Sequence, residues 1–171
     1  MAIGLAAMAV PVARAATAPG RNADDWTVCA GVDAVKAIAA CTKIIRARGP
    51  ELVLAWYDRA IAYRLTRKFD RALADLDRSI RLQRDFAAGF VERGIVLYEL
   101  REYTRAIADD DAAISLKPDL AEAFNNRALA RLKLAQYDLA TADFNRTIRL
   151  HQYYGNALIN RSLGPLLPPP R

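Results

Sequence analysis

The chain has 171 residues, of which 53% are hydrophobic, enough for one domain with a core and too apolar for intrinsic disorder. The formal net charge is +6, and because bases alternate with acids along the chain, a solvated mixed-charge surface is favoured over a dedicated polyanion-binding face. Gly and Pro number eight each and lie mostly near the ends, which favours helix through the middle of the chain.

The first fifteen residues differ from the rest. Residues 2–12 are apolar and uncharged, and Ala13-Arg14-Ala15 presents small residues at the spacing of a signal-peptidase site. This pattern predicts cleavage after Ala15 and export, to a bacterial periplasm. A disordered Ala-rich tail is the alternative, since no Lys or Arg precedes the apolar run. The run is shorter than the roughly 20 apolar residues of a membrane span.

Residues 16–32 form an N-terminal extension that holds Cys29, and Cys41 follows in the first predicted helix. Asp33 is the predicted N-cap of that helix, which spans residues 34–48. If residues 29–33 are extended and double back, they cover about 13 Å, close to the roughly 12 Å rise from Asp33 to Cys41. A disulfide between Cys29 and Cys41 is therefore predicted, the alternative being a buried free thiol. Zinc is not expected, because His151 is the lone histidine.

A period of 34 residues organises the middle of the chain, anchored on Ala72, Ala106 and Ala140. Three residues before each anchor is an aromatic: Phe69, Tyr103, Tyr137. Sixteen before is a second aromatic: Trp56, Phe90, Phe124. Twelve before is a small residue: Ala60, Gly94, Ala128. Small residues let two antiparallel helices approach closely, and one such pair must stack on neighbours to bury its apolar stripe.

The period and pattern resemble the tetratricopeptide repeat over residues 53–152. The resemblance implies an all-α, right-handed superhelical α-solenoid of antiparallel helix pairs, with eight main helices. Full repeats are expected at about 53–86, 87–120 and 121–154, with a half repeat at each end. The repeat domain then spans 33–163, its last helix lies at 156–163, and a Pro-rich tail follows at 164–171.

Charged residues share the period. Arginines recur on the first helices and aspartates on the second: Arg59, Arg93, Arg127 and Arg161, with Asp75, Asp109 and Asp143. They are predicted to form inter-helix ion pairs, within a repeat or across to the next. The lack of an Asp in the truncated repeat of Arg161 favours the cross-repeat option.

Two residues depart from the repeat pattern. Arg131 and Asp110 stand where aromatics are usual. Asp110 is expected to be locally exposed or paired rather than to act as a functional acid, because an unpaired buried carboxylate is costly.

The resemblance also implies a concave groove, lined by the first helices, that receives a peptide or partner helix. The matching positions are Tyr57, Asp58, Ile61, Arg64 and Leu65, then Val91, Glu92, Ile95, Tyr98 and Glu99, then Asn125, Asn126, Leu129, Leu132 and Lys133. Ile61, Ile95 and Leu129 would form its apolar centre. Asp58, Ile61 and Glu92 argue against a clamp for a peptide's terminal carboxylate. The alternative for any one of these residues is that it covers the neighbouring helix.

A non-catalytic scaffold that binds a protein segment is the predicted function, with no cofactor, no metal and no small-molecule substrate. The sequence shows no nucleophile–base pair, and Asp109-Asp110-Asp111 cannot converge on a metal because successive helical residues diverge. Two alternatives stay open. One is a binder of an anionic polymer, nucleic acid or envelope polysaccharide, although nucleic acid is not favoured; the other is a self-assembling structural unit.

Overall fold

The computed structural model describes residues 23–48 and 52–150, which form eight α-helices and no strand. The helices are α1 Ala23–Cys29, α2 Ala34–Arg46, α3 Leu52–Leu65, α4 Phe69–Leu82, α5 Ala87–Glu99, α6 Tyr103–Leu116, α7 Ala121–Lys133 and α8 Tyr137–Leu150. The signal-like segment, the helix predicted at 156–163, Arg161 and the Pro-rich tail lie outside the described residues.

The helices stack as consecutive pairs. Helix α3 packs on α4, α5 on α6 and α7 on α8, and the pairs join through α4 with α5 and α6 with α7. Helix α5 also contacts both α3 and α7, so the first helices of successive pairs lie side by side. The all-α solenoid of helix pairs that the resemblance implies is confirmed, and α3, α5 and α7 line one face of it.

Small residues permit the close approach within each pair. The small position of each first helix is buried against the anchor alanine of the second: Ala60 with Ala72, Gly94 with Ala106, and Ala128 with Ala140. A methyl group added at Gly94 would lie 3.4 Å from the carbonyl oxygen of Ala106. The backbones of α5 and α6 are therefore in near contact, and bulk at these positions would push the pair apart.

The first helix of each pair ends in the same tight turn. Arg67, Arg101 and Ala135, again 34 residues apart, have φ of 57°, 63° and 57°. In the first of these turns the N–H of Lys68 donates to the carbonyl of Tyr63 at 2.8 Å, closing the helix in the manner of a Schellman motif. A left-handed residue thus reverses the chain toward the second helix without a glycine.

The start of α2 was predicted correctly, and its end was not. Asp33 is the N-cap, and its Oδ1 accepts from the backbone N–H groups of Val35 and Lys36 at 3.2 and 3.1 Å. The helix ends at Arg46 rather than at residue 48, because Arg48 adopts a left-handed φ of 52° that helical geometry excludes.

The N-terminal cysteines are joined in the structure, with Cα atoms 4.9 Å apart. The route between them differs from the predicted extended segment. Cys29 closes helix α1, and a short turn follows in which the N–H of Gly31 donates to the carbonyl of Val28 at 3.0 Å. Helix α1 packs on α2 through a cluster of Cys29, Cys41, Ile44 and partly buried Trp26.

Candidate partner-binding groove

Three arginines hold each first helix to its own second helix. The guanidinium groups donate two hydrogen bonds each to one aspartate: Arg59 to Asp75 at 2.7 and 2.9 Å, Arg93 to Asp109 at 2.8 and 2.7 Å, and Arg127 to Asp143 at 2.9 and 2.6 Å. The predicted pairs therefore form within repeats, and the preference for cross-repeat pairing was wrong. The truncated repeat of Arg161 says nothing about the other three arginines, because each of their repeats contains both helices.

A second carboxylate series joins neighbouring repeats. Nη1 of Arg93 lies 2.7 Å from Asp77 and Nη1 of Arg127 lies 2.6 Å from Asp111, each on the preceding second helix. Arg59, which has no aspartate at the corresponding place, donates to the hydroxyl of Thr42 instead, at 3.0 Å. Asp77 and Asp111 are 34 residues apart, so the sequence carried this signal although sequence reasoning missed it.

Each of these arginines also lies over the aromatic ring one turn earlier on its helix. The guanidinium carbon is 4.7 Å from the ring centroid of Trp56, 5.5 Å from that of Phe90 and 5.3 Å from that of Phe124. The hydrogen bonds that Arg93 donates to Asp109 hold the pKa of Arg93 above its ordinary value. An aromatic face, an arginine and a carboxylate thus form one unit in every complete repeat, and that unit fixes where the groove-forming helices stand.

The groove contains an open cleft where α3, α5 and α7 meet. Its lining comprises Tyr57 of α3, four residues of α5, two from the α6–α7 connection, and one of α7: Tyr57, Ala87, Ala88, Val91, Glu92, Lys117, Leu120 and Glu122. Tyr57, Val91 and Glu92 were among the predicted groove residues. The other five were missed, because the resemblance points to the middle of each first helix and not to its first turn or to the preceding connection.

The one arginine predicted for the groove is already engaged. Nε of Arg64 lies 2.5 Å from Oε1 of Glu92, and its Nη1 lies 3.3 Å from Oε1 of Glu99. Arg64 and Glu92 are both buried. Burial raises the pKa of Glu92 while Arg64 opposes the shift. The guanidinium of Arg64 is therefore shared between two carboxylates of the next repeat.

The expected apolar centre of the groove is largely covered by the protein itself. Ile95 is 1% exposed and packs with Val91, Ala113 and Ala123, and Leu129 is 9% exposed. Ile61 is only partly buried and packs on the cluster around Tyr57. Helices α6 and α7 cover Ile95, and Leu129 packs with Ala140 and Phe144 of α8. The apolar surface that is open lies nearer the helix starts.

Glu122 is the main residue of the cleft that the sequence analysis omitted. It lies in the first turn of α7, half-buried, and no ion pair or hydrogen bond of its side chain is found within residues 23–48 and 52–150. Burial, reinforced by the charge of Glu92, raises its pKa to about 7. Burial also raises the pKa of Tyr57, and Glu92 and Glu122 add to that shift.

The remaining predicted residues are distributed along the same helices. Asn125 and Asn126 are 8% and 7% exposed, and Oδ1 of the first and Nδ2 of the second lack a hydrogen-bond partner in the described part of the chain. Tyr98 is half-buried with its ring centroid 5.4 Å from that of Tyr103. Two further predicted groove residues are half-buried Asp58 on α3 and exposed Lys133, the last residue of α7.

Solved structures with this arrangement of helices are repeat domains. The second TPR domain of human RPAP3, in complex with the HSP70 peptide SGPTIEEVD, aligns with a TM-score of 0.65 and 24% identity over 68% of this chain and 98% of that one. The chain has the tetratricopeptide repeat fold. The Arabidopsis OM64 TPR domain aligns with a TM-score of 0.64 and 21% identity over 67% and 94% of the two chains.

The crystal structure of MamA aligns over a longer stretch, with a TM-score of 0.70 and 22% identity over 77% of each chain. No protein-family model and no curated protein sequence matches the chain. At these identities the tetratricopeptide repeat fold is what the solved structures share with it.

Asp110 is the departure from the tetratricopeptide repeat pattern with the largest physical consequence. It occupies the position that Leu76 and Phe144 fill in the flanking repeats. It is 1% exposed, and neither carboxylate oxygen has a hydrogen-bond partner among the residues that the structure describes. The expectation that it is exposed or paired was therefore wrong. Burial raises its pKa well above 3.8, with Asp109 contributing to the shift.

Arg131, the other departure, is accommodated by an ion pair. Its Nη1 lies 2.7 Å from Oδ2 of Asp143, so this carboxylate receives two arginines of the tetratricopeptide repeat framework. No metal-binding arrangement of three or more His, Cys, Asp or Glu side chains occurs in the described ranges. None of the helices that the structure describes is long and apolar enough to cross a membrane.

Proposed function

We propose that this protein is a non-catalytic interaction scaffold whose groove binds an extended peptide or a helical segment of another protein. The observation that carries the proposal is the open cleft between α3, α5 and α7. Tyr57, Val91 and Leu120 give it apolar walls, and charged groups stand at its sides. An aromatic and aliphatic floor with polar flanks is the composition that protein segments use as an anchor site.

The fold similarity supports this proposal. The human RPAP3 domain with the same fold is described in complex with an HSP70 peptide. A bound peptide on the same arrangement of helix pairs agrees with a peptide-binding role for this groove. Similarity of fold alone does not transfer the ligand, so the ligand here is argued from this chain's own side chains.

The charges of the groove disfavour an acidic peptide terminus. Arg64 is held by Glu92 and Glu99, and Glu122 faces the cleft without a cation of its own. A ligand carboxylate placed there would meet like charge in a partly buried site, where repulsion is weakly screened. A carboxylate-gripping mode is therefore not part of the proposal.

The proposed site of action is an oxidising compartment reached by export. The support is the bond between Cys29 and Cys41, since disulfides persist mainly outside reducing compartments. The predicted signal at residues 1–15 agrees with that location. Fractionation of the native host cell, with the cysteines tested for alkylation before and after reduction, is the direct check.

Site-specific photocrosslinking tests the function. The photoreactive residue p-benzoylphenylalanine replaces Lys117, an exposed residue of the cleft lining, and a matched control carries it at exposed Arg78 on α4. The expected result is a protein adduct in the host cell that forms from the Lys117 position and not from the Arg78 position. Equal adducts from both positions, or none from the cleft, would overturn the proposal. An adduct of the chain with itself would instead identify a self-assembling unit.

A further inference from the structure

We infer that the cleft at Tyr57, Glu92 and Glu122 is a subsite for an arginine or lysine side chain, so that the partner segment is basic. This inference rests on the proposed function and specifies its ligand. The chain as a whole carries a formal net charge of +6. The lining of the cleft has the opposite sign, because it contains two acids, Glu92 and Glu122, and one cationic residue, Lys117.

The two acids of the cleft are in different electrostatic situations. Glu92 is satisfied by Arg64, which Glu99 also contacts. Glu122 is half-buried, and within the described residues its carboxylate has neither an ion pair nor a hydrogen bond. Lys117, also in the lining, is exposed and keeps its own hydration. A ligand cation is therefore the group that would complete the surroundings of Glu122.

The walls of the cleft suit the stem of a long basic side chain. Tyr57 packs edge-on against Phe86, with ring centroids 5.2 Å apart, which fixes the ring that lines the cleft. Val91, Ala88 and Leu120 add aliphatic surface. Arginine and lysine bury their methylene groups on such surfaces while the charged head reaches a polar partner.

The chain itself contains the same recognition unit three times. Arg93 lies over the ring of Phe90 and donates two hydrogen bonds to Asp109, and Arg59 and Arg127 repeat this geometry, so that the three form an arginine ladder. The cleft presents an aromatic ring, Tyr57, and a carboxylate, Glu122, without a resident arginine. Arginine is favoured over lysine as the ligand, because its planar guanidinium can stack on the ring and bind the carboxylate with two N–H groups.

A second unsatisfied group continues the site along α7. Asn125 follows Glu122 by three residues and so lies on the same helix face. It occupies in its repeat the position that Val91, a cleft residue, has in the repeat before. Its Oδ1 is buried without a hydrogen-bond partner in the described chain.

Selection from a phage-displayed library of short random peptides on the folded chain tests the inference. The expected result is enrichment of Arg, and less so of Lys, at one position of the selected peptides. A selected peptide is then resynthesised with that Arg replaced by citrulline, which keeps the shape and removes the charge. We expect the citrulline peptide, and the Glu122→Gln protein with the original peptide, to lose about tenfold in affinity.

Two control variants separate the possible failures. Asp70→Asn makes the same charge change on an exposed residue of α4 and should leave the affinity unchanged. Ala87→Phe fills the cleft and should abolish binding while thermal denaturation shows it folded. Cleft-dependent peptides that lack basic enrichment, or that ignore Glu122→Gln, would overturn the cation subsite and leave the scaffold function standing. The absence of any cleft-dependent peptide would overturn both.

Discussion

Replacing Asp110 with leucine should stabilise the protein, and the structure sets the size of the effect. Leucine branches at the same carbon but is larger than aspartate, and the preceding repeat shows that the position accepts it. There Leu76 packs in one cluster with Ala60, a larger residue than the Gly94 that lies beside Asp110. The substitution removes two buried oxygens that have no hydrogen-bond partner in the described chain. Removing an unsatisfied buried polar group is worth about 1–3 kcal/mol, and the gained apolar burial adds to it. A gain of about 2 kcal/mol corresponds to roughly 4–8 °C in Tm.

The effect should grow with pH, and its sign follows from proton linkage. Burial raises the pKa of Asp110 well above 3.8, so the folded protein retains a proton that the unfolded chain releases. The folded state is favoured most below the unfolded pKa, and this stability is lost as pH rises toward the folded pKa. Each pH unit in that window costs the wild-type protein up to about 1.4 kcal/mol, a cost that Asp110→Leu does not have.

Thermal and urea unfolding followed by circular dichroism, over a range of pH, would measure both effects. Because Glu92 and Glu122 titrate in both proteins, the informative quantity is the difference between the two unfolding free energies. Asp138→Leu, at an exposed position of α8, is the control and should change stability by no more than about 0.5 kcal/mol. A variant that is no more stable than wild type, or a difference that is constant with pH, would refute the burial argument.

Three further predictions follow from contacts described above. Arg93→Ala should cost about 3 kcal/mol of unfolding free energy, because it leaves the buried carboxylate of Asp109 unpaired and removes the ion pair with the more exposed Asp77. Lys36→Ala, at an exposed ion pair, should cost less than about 0.5 kcal/mol, and equal losses would contradict the role of the buried pair. Replacing Cys29 and Cys41 with serine should lower stability by about 3 kcal/mol in urea unfolding and speed amide exchange most in α1. Affinity for a basic peptide should fall between about pH 8 and pH 6 as Glu122 takes up a proton, and Glu122→Gln should show a flat profile.

The architecture could be predicted from the sequence because the repeat constrains the residue type at several positions at once. The buried alanines and the small residues that face them are fixed by helix–helix contact, so their spacing shows directly. The pairing of Arg93 was harder to predict. Sequence periodicity assigns Arg93 and Asp109 to one repeat and Asp77 to the repeat before, but it does not show which of the two carboxylates the guanidinium of Arg93 reaches. The structure shows that one arginine binds both.

The candidate site was less predictable than the fold, for two physical reasons. Helical periodicity identifies a face about one third of a turn wide, so Ile95 and Leu129 fall on a boundary where small rotations decide between groove and core. Glu122 is placed in the cleft by the turn that precedes α7, which the periodic pattern does not describe. The burial of Asp110 was not predicted, because an unpaired carboxylate in a core costs free energy. The position is nevertheless a core position of the repeat, and Asp110 is buried there.

The arginine ladder affects how the protein unfolds as well as how stable it is. Stacked repeats are held by nearest-neighbour interfaces, and weak interfaces would let terminal repeats fray independently. Here Arg93 and Arg127 each belong to two interfaces at once, since each binds an aspartate of its own repeat and one of the repeat before. Opening one repeat therefore removes a partner from the next, so neighbouring repeats are coupled and tend to unfold together. A groove built from coupled repeats presents its first helices as a rigid unit, so the protein would lose little conformational entropy when a segment binds.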